Sequence, residues 1–166
     1  MATYTYTVHG VPGAKPRPRA VVRGGKPQLV QKDCANGFLE RCAYAANAAR
    51  PPRPMEGPVS VTIVAVFPWS AAHREAFEGT DALVYNVQRP DCDNLAKGVM
   101  DVMNPGRSEK AMRDLPKHVQ DAMFRAGWWH DDCQVAELHV QKIHGDHPKT
   151  VVTVRQLTDA TTEVMK

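Results

Sequence analysis

Proline does most to limit what this chain can become. Thirteen of its 166 residues are proline. Each removes a backbone donor and fixes φ near about −65°, which bars it from helix interiors and central strands. Gly10-Val-Pro-Gly-Ala-Lys-Pro-Arg-Pro-Arg19 must therefore be an extended loop, and Arg50-Pro51-Pro52, Pro90, Pro105-Gly106, Pro116 and Pro148 all mark element ends. What remains between these breaks is a series of short segments, each readable by its own period. Residues 3–8 alternate Thr-Tyr-Thr-Tyr-Thr-Val, as a half-buried strand does. Ala20–Arg23 and Pro27–Gln31 flank Gly24-Gly25, which predicts a short hairpin. From Asp33 to Ala49, alanines with Phe38 and Leu39 predict a helix that stops at Pro51. Val59, Val61, Ile63, Ala65 and Phe67 share one face of a strand.

Further along, a short helix fits Ala71 to Phe77, and a longer one runs from about Asp91 to Met103. A second helical segment from about Ser108 to Ala126 is divided at Leu115-Pro116. Ala136, Leu138 and Val140 face one way while Glu137, His139 and Gln141 face the other, which predicts a one-sided strand. Thr150 to Leu157 forms the last strand, and residues 159–166 form a frayed tail. There is no repeat or linker. The expected architecture is a single α+β domain over residues 1–158, a mixed β-sheet packed against helices.

Composition sets limits on function. A 43% apolar and 23% charged chain lies near the globular averages of about 45–50% and 25%, which excludes a disordered, collagenous or disulfide-scaffold protein. Apolar runs such as Val61–Phe67 are strand-sized, far short of the ~20 residues of a membrane span. Met1–Val8 lacks the basic start and apolar core of a secretory signal, so an intracellular protein without a membrane partner is expected. The four cysteines show no Cys-x-x-Cys spacing and read as thiols. A zinc set of Cys92, His130, Cys133 and His139 lacks finger-like spacing. Net charge is only +3, but Lys15, Arg17, Arg19, Arg23, Lys26 and Lys32 all precede the first acid, Asp33. That separation hints at a polyanionic partner, against the plain alternative of a solvated edge.

Two stretches carry chemistry. In Arg89-Pro-Asp-Cys-Asp-Asn-Leu-Ala-Lys97, Pro90 keeps Arg89 out of helical angles, so a helix starts just after it with Asp91 at the cap. Leu95, Val99, Val102 and Met103 make its buried stripe, and Asp93, Lys97 and Asp101 recur at four-residue intervals on the polar face. At a helix start Asp91 and Asp93 can reach one point, and such oxygen ligands suit Mg²⁺ or Mn²⁺. Capping plus a surface ladder worth only ~0.3–0.5 kcal/mol per pair is the bland alternative. In Gly127-Trp-Trp-His-Asp-Asp-Cys-Gln134, adjacent acids at the mouth of a strand repel unless a cation sits nearby. A divalent ion shared by Asp91, Asp93 and Asp132 would remove that cost; two solvent-facing acids in a turn would do without it. Trp128 and Trp129 read as core, with base stacking by one of them as the other option, and His130 as a proton shuttle or a simple neighbour.

At these residues the chain resembles the RusA family of Holliday-junction resolvases of phages and prophages. Asp91-x-Asp-Asn-Leu-x-Lys97 is similar to the family's central motif, with Asp101 at a further acidic position. Trp129-x-Asp-Asp-x-Gln-Val135 is similar to its second motif, and Lys142 sits where a basic residue is common. Lys15-Pro-Arg-Pro-Arg19 resembles the opening of phage members. The resemblance implies a Mg²⁺-dependent crossover junction endodeoxyribonuclease, with Mn²⁺ able to substitute, acting as a homodimer on four-way DNA junctions in recombination and repair. It implies a phage- or prophage-encoded protein in the cytoplasm of a bacterial host, with no nucleotide cofactor. Asp91, Asp93 and Asp132 would hold the metal, Asp131 being a further candidate, and Lys97 would be the active-site lysine. Lys15, Arg17, Arg19, Arg23, Arg89 and Lys142 would contact DNA. The stretches 69–89 and 104–126 are longer than in compact members. The rival readings are a nuclease for flaps or forks, a non-catalytic branched-DNA-binding protein, and a protein with a purely structural cation.

Overall fold

The structure is a computed structural model that describes residues 2–14, 19–30, 37–104 and 127–158. Lys15, Arg17, the first part of the helix expected from Asp33, the helical segment expected over 108–126 and the tail from 159 lie outside the described residues. In chain order the elements are β1 (Thr3–His9), β2 (Arg19–Arg23), β3 (Lys26–Val30), α1 (Phe38–Ala49), β4 (Val59–Phe67), α2 (Ala71–Phe77), α3 (Cys92–Met103), β5 (Val135–His144) and β6 (Lys149–Gln156). One 3₁₀ turn, Asp132–Gln134, leads directly into β5. The class is α+β, as the sequence predicts.

β1, β6, β4 and β5 lie side by side in that order. β1–β6 and β6–β4 are antiparallel, and β4–β5 is parallel. A parallel pair needs a crossover between its strands, usually a helix; here the crossover holds α2 and α3, and it brings the first acidic motif over the sheet. β2 and β3 form a separate hairpin whose turn residues Gly24 and Gly25 have φ of 59° and 75°. Two successive positive φ values make the tight turn that matches strand twist, and glycine reaches them without strain.

Alternation decides which residues face the helices. Tyr6 and Val8 of β1, Val152 and Val154 of β6, and Val59, Val61, Ile63 and Ala65 of β4 all join one core. β4 is central and also buries Ser60 and Val66 on its other face. β5 differs from the one-sided strand the sequence predicts: Ala136 to His139 are exposed on both faces, with Leu138 at 45%. The cause is position: over Ala136–His139 β5 pairs with β4 alone, the bridge to Tyr85 reaching only Ile143, and alternation alone cannot tell a covered strand from an outer one.

α1 starts at Gly37 (φ 62°), packs on β1 and α3, and ends at Arg50 as Pro51 requires. α3 buries Leu95, Val99, Val102 and Met103. At ~1.5–3 kcal/mol for each buried aliphatic chain, that stripe outweighs by an order of magnitude anything the surface charges add. The apolar stripe therefore holds α3 in place, and the acids and lysine on its other face are not required for that. Trp128 and Trp129 are fully buried. Trp128 donates from Nε1 to the Ala46 carbonyl at 3.1 Å and packs edge-on to Tyr4. Trp129 Nε1 donates to Asn104 Oδ1. Both rings are core, so neither is a platform for a DNA base.

Candidate active site

The first motif is built where a stiff turn meets α3. Asp91 is the N-cap residue of α3, yet its side chain accepts no capping hydrogen bond. Asp93 sits in the first turn, and Lys97, one turn on, is exposed. The loop in front of α3 is fixed from the sheet: Lys142 Nζ donates to the Gln88 carbonyl at 2.6 Å and to the Pro90 carbonyl at 2.7 Å. Lys142 faces the helices because it pairs with Ala65 of β4, which is on the core side. Two of its three donors are thus committed to the backbone leading into the motif.

The second motif is held with more bonds. Asp131 accepts from the Cys133 N–H at 3.0 Å. Gln134 Oε1 accepts from the N–H groups of His130 (2.8 Å) and Asp131 (3.1 Å), while its Nε2 donates to the carbonyls of Met55 (3.0 Å) and Gly57 (2.9 Å). Two bonds of this one amide close the turn on itself and two tie it to the segment leading into β4. The adjacent acids consequently have different duties: Asp131 is half-buried and caps the 3₁₀ turn, and Asp132 is exposed as the first residue of that turn. Sequence reasoning passed over Gln134 as a functional residue. The signal was present, since an acid followed three residues later by Gln is a capping box.

The two motifs touch opposite ends of α3. Its N-terminal turn carries Asp91 and Asp93, and its last carbonyl, Met103 O, accepts from Trp128 N–H at 3.1 Å, three residues before Asp131. Asp91, Asp93 and Asp132 are exposed carboxylates, hard oxygen donors open to water, and that donor chemistry fits a partly hydrated divalent cation such as Mg²⁺. Among the described residues no three His, Cys, Asp or Glu side chains are gathered into a ready-made ligand set. The zinc alternative on Cys92, His130, Cys133 and His139 is likewise not assembled there.

Of the basic residues, Arg19 and Arg23 lie on β2, Arg89 is exposed before Pro90, and Lys15 and Arg17 fall outside the described residues. No helix among the described residues is long and apolar enough to cross a membrane.

Comparison with known proteins adds two findings. A family model described as endodeoxyribonuclease RusA matches residues 9–114 and 107–155. The two pieces overlap at 107–114, inside the long connection between the motifs. The chain is also 28% identical over 156 residues to an uncharacterized protein, YqaN, of Bacillus subtilis (strain 168). That alignment covers 92% of this chain and 95% of the relative.

Proposed function

The chain belongs to the endodeoxyribonuclease RusA family, and from that premise we propose that it is a Mg²⁺-dependent nuclease that resolves four-way DNA junctions as a homodimer in recombination and repair. Residues 1–158 form the endonuclease domain in this reading, which works on DNA in the bacterial cytoplasm. The observation that supports the reading is that the two matched pieces of the family model, 9–114 and 107–155, take in the first and the second acidic motif in turn.

The roles follow from chemistry. Asp91, Asp93 and Asp132 would hold the ion. When bound, Mg²⁺ acidifies a water and polarises the phosphoryl oxygen. Lys97 stands on the same face of α3 as Asp93 and sets an ammonium against the charge that develops on the scissile phosphate. Lys142 and Gln134 fix the backbones that present the acids. Asp131, spent on its cap, orients Asp132. The acids alone would repel DNA, so Lys15, Arg17, Arg19 and Arg23 neutralise backbone phosphates in a manner that depends on salt and little on sequence.

The test is incubation of the purified protein with a labelled immobile four-way junction, a fork and a linear duplex, with Mg²⁺ and with chelator. Symmetric paired nicks in the junction, abolished by chelator and absent from the duplex, are expected. Preferential cutting of the fork would make the protein a nuclease for other branched DNA. Binding with no cleavage in any divalent ion would overturn the catalytic reading.

A further inference from the structure

The β2–β3 hairpin is a sheet of its own: among the described residues neither of its strands pairs with a strand of the main sheet. In an antiparallel ribbon, residues directly opposite one another share a face, and the face changes at each step along the strand. Arg19 pairs with Val30, Val21 with Gln28 and Arg23 with Lys26. All the cations of the ribbon, with Gln28, therefore hold positions on one face. Ala20 pairs with Leu29 and Val22 with Pro27, so the other face consists of apolar positions alone. That apolar face is uncovered: Ala20, Val22 and Pro27 are all exposed, Val22 at 74%. The turn, Gly24-Gly25, carries no side chains, and nothing beyond its chain neighbours lies within 4 Å of where a Cβ on either glycine would stand. The ribbon thus ends in a slim tip flanked by Arg23 and Lys26.

A ribbon of this kind fits a partner that is anionic on its outside and flat and apolar where it is opened. Continuous duplex offers only the first, since its grooves present phosphates and base edges while base faces are hidden in the stack. At a branch the stack is interrupted, and base faces become available to apolar side chains of the kind that wedge between base steps. Size agrees as well. Two strands about 4.8 Å apart are narrow beside a major groove about 12 Å wide.

We propose that the β2–β3 hairpin is the wedge by which this protein recognises a DNA branch. Its apolar face, with Val22 and Pro27 nearest the tip, seats on the base pair exposed where the duplex arms part. Arg19, Arg23 and Lys26 on the other face meet the phosphates of the adjoining strand. The inference rests on the junction-nuclease reading and deepens it, because it assigns the choice of branched over linear DNA to a surface apart from the acidic motifs. The two faces carry different signatures. A lost phosphate contact changes the salt dependence of binding, and a lost contact with a base face does not.

The test is binding alone, by the whole chain with chelator in place of Mg²⁺, to an immobile four-way junction and to linear duplex. 2-Aminopurine, whose fluorescence rises on unstacking, replaces one base beside the branch or one in the middle of an arm. Its signal should rise about twofold on binding at the branch and stay flat in the arm. Val22→Thr keeps the β-branched side chain that strands favour, so the hairpin is retained. It should lower the junction-to-duplex affinity ratio about fivefold, with the salt slope unchanged, and remove the fluorescence rise. Val22→Leu should keep both. Lys26→Ala should instead weaken binding to junction and duplex alike and flatten the salt slope by about 0.9. A parent that prefers the junction beside a Val22→Thr variant that prefers it equally, or an equal rise at branch and arm, would overturn the wedge and leave the junction reading standing. A parent with no preference for the junction would overturn both.

Discussion

Two adjacent acids illustrate how little residue type says about residue role. Asp131 and Asp132 are identical in chemistry, but the first accepts from Cys133 N–H and caps a turn while the second stands exposed. Gln134 creates the difference. Replacing it with Ala would remove four hydrogen bonds at once and leave the Met55 and Gly57 carbonyls to water. A loss of about 1–3 kcal/mol is expected. If Gln134 positions Asp132, cleavage should also fall at least tenfold at a temperature where the variant is fully folded, with junction affinity unchanged; urea unfolding and single-turnover cleavage on one sample check both. Tyr6 makes the opposite case. Its hydroxyl is buried with no hydrogen-bond partner among the described residues, and burial, with Cys42 nearby adding to it, pushes the hydroxyl well above the ordinary tyrosine range. An acid raised in the folded state contributes stability that is fully present below the unfolded-state pKa, about 10, and is lost as pH rises beyond it. Tyr6→Phe should therefore unfold at an equal or higher temperature at pH 7 and lose less stability than the parent above about pH 10, as read by thermal melts across that range.

At the scale of elements, period and punctuation were legible where an element's own residues decide it. Pro90 and the Leu95–Val99–Val102 stripe place α3, and Gly24-Gly25 places the β2–β3 turn. Ala136 and Leu138 misled, because whether a strand face is covered depends on what packs beside it, and no local pattern encodes the neighbour. The same holds at the site. The acids were visible as motifs, but the clamp of Lys142 on Gln88 and Pro90 depends on β5 running parallel to β4, a topological fact. The basic loop is the second functional element in the proposed reading. If Arg17 and Arg19 each neutralise one phosphate, Arg17→Ala with Arg19→Ala should flatten the plot of log affinity against log salt by roughly 1.8, at ~0.9 per contact. Fluorescence anisotropy with a catalytically inert background gives that slope directly. An unchanged slope would assign the loop to something other than DNA.

For the whole molecule, the account depends on two acidic motifs, distant in sequence and joined through α3, acting as one centre on a phosphodiester. Groups that act as a unit are strongly non-additive when removed. The most direct measurement is single-turnover cleavage of a four-way junction in Mg²⁺ by Asp93→Asn, Asp132→Asn and the double variant, with binding measured alongside. The account predicts that each single change abolishes cleavage, that the double change is no worse than either, and that all three bind the junction as tightly as the parent or more tightly. Near-parental cleavage by Asp132→Asn, or losses that multiply, would contradict it.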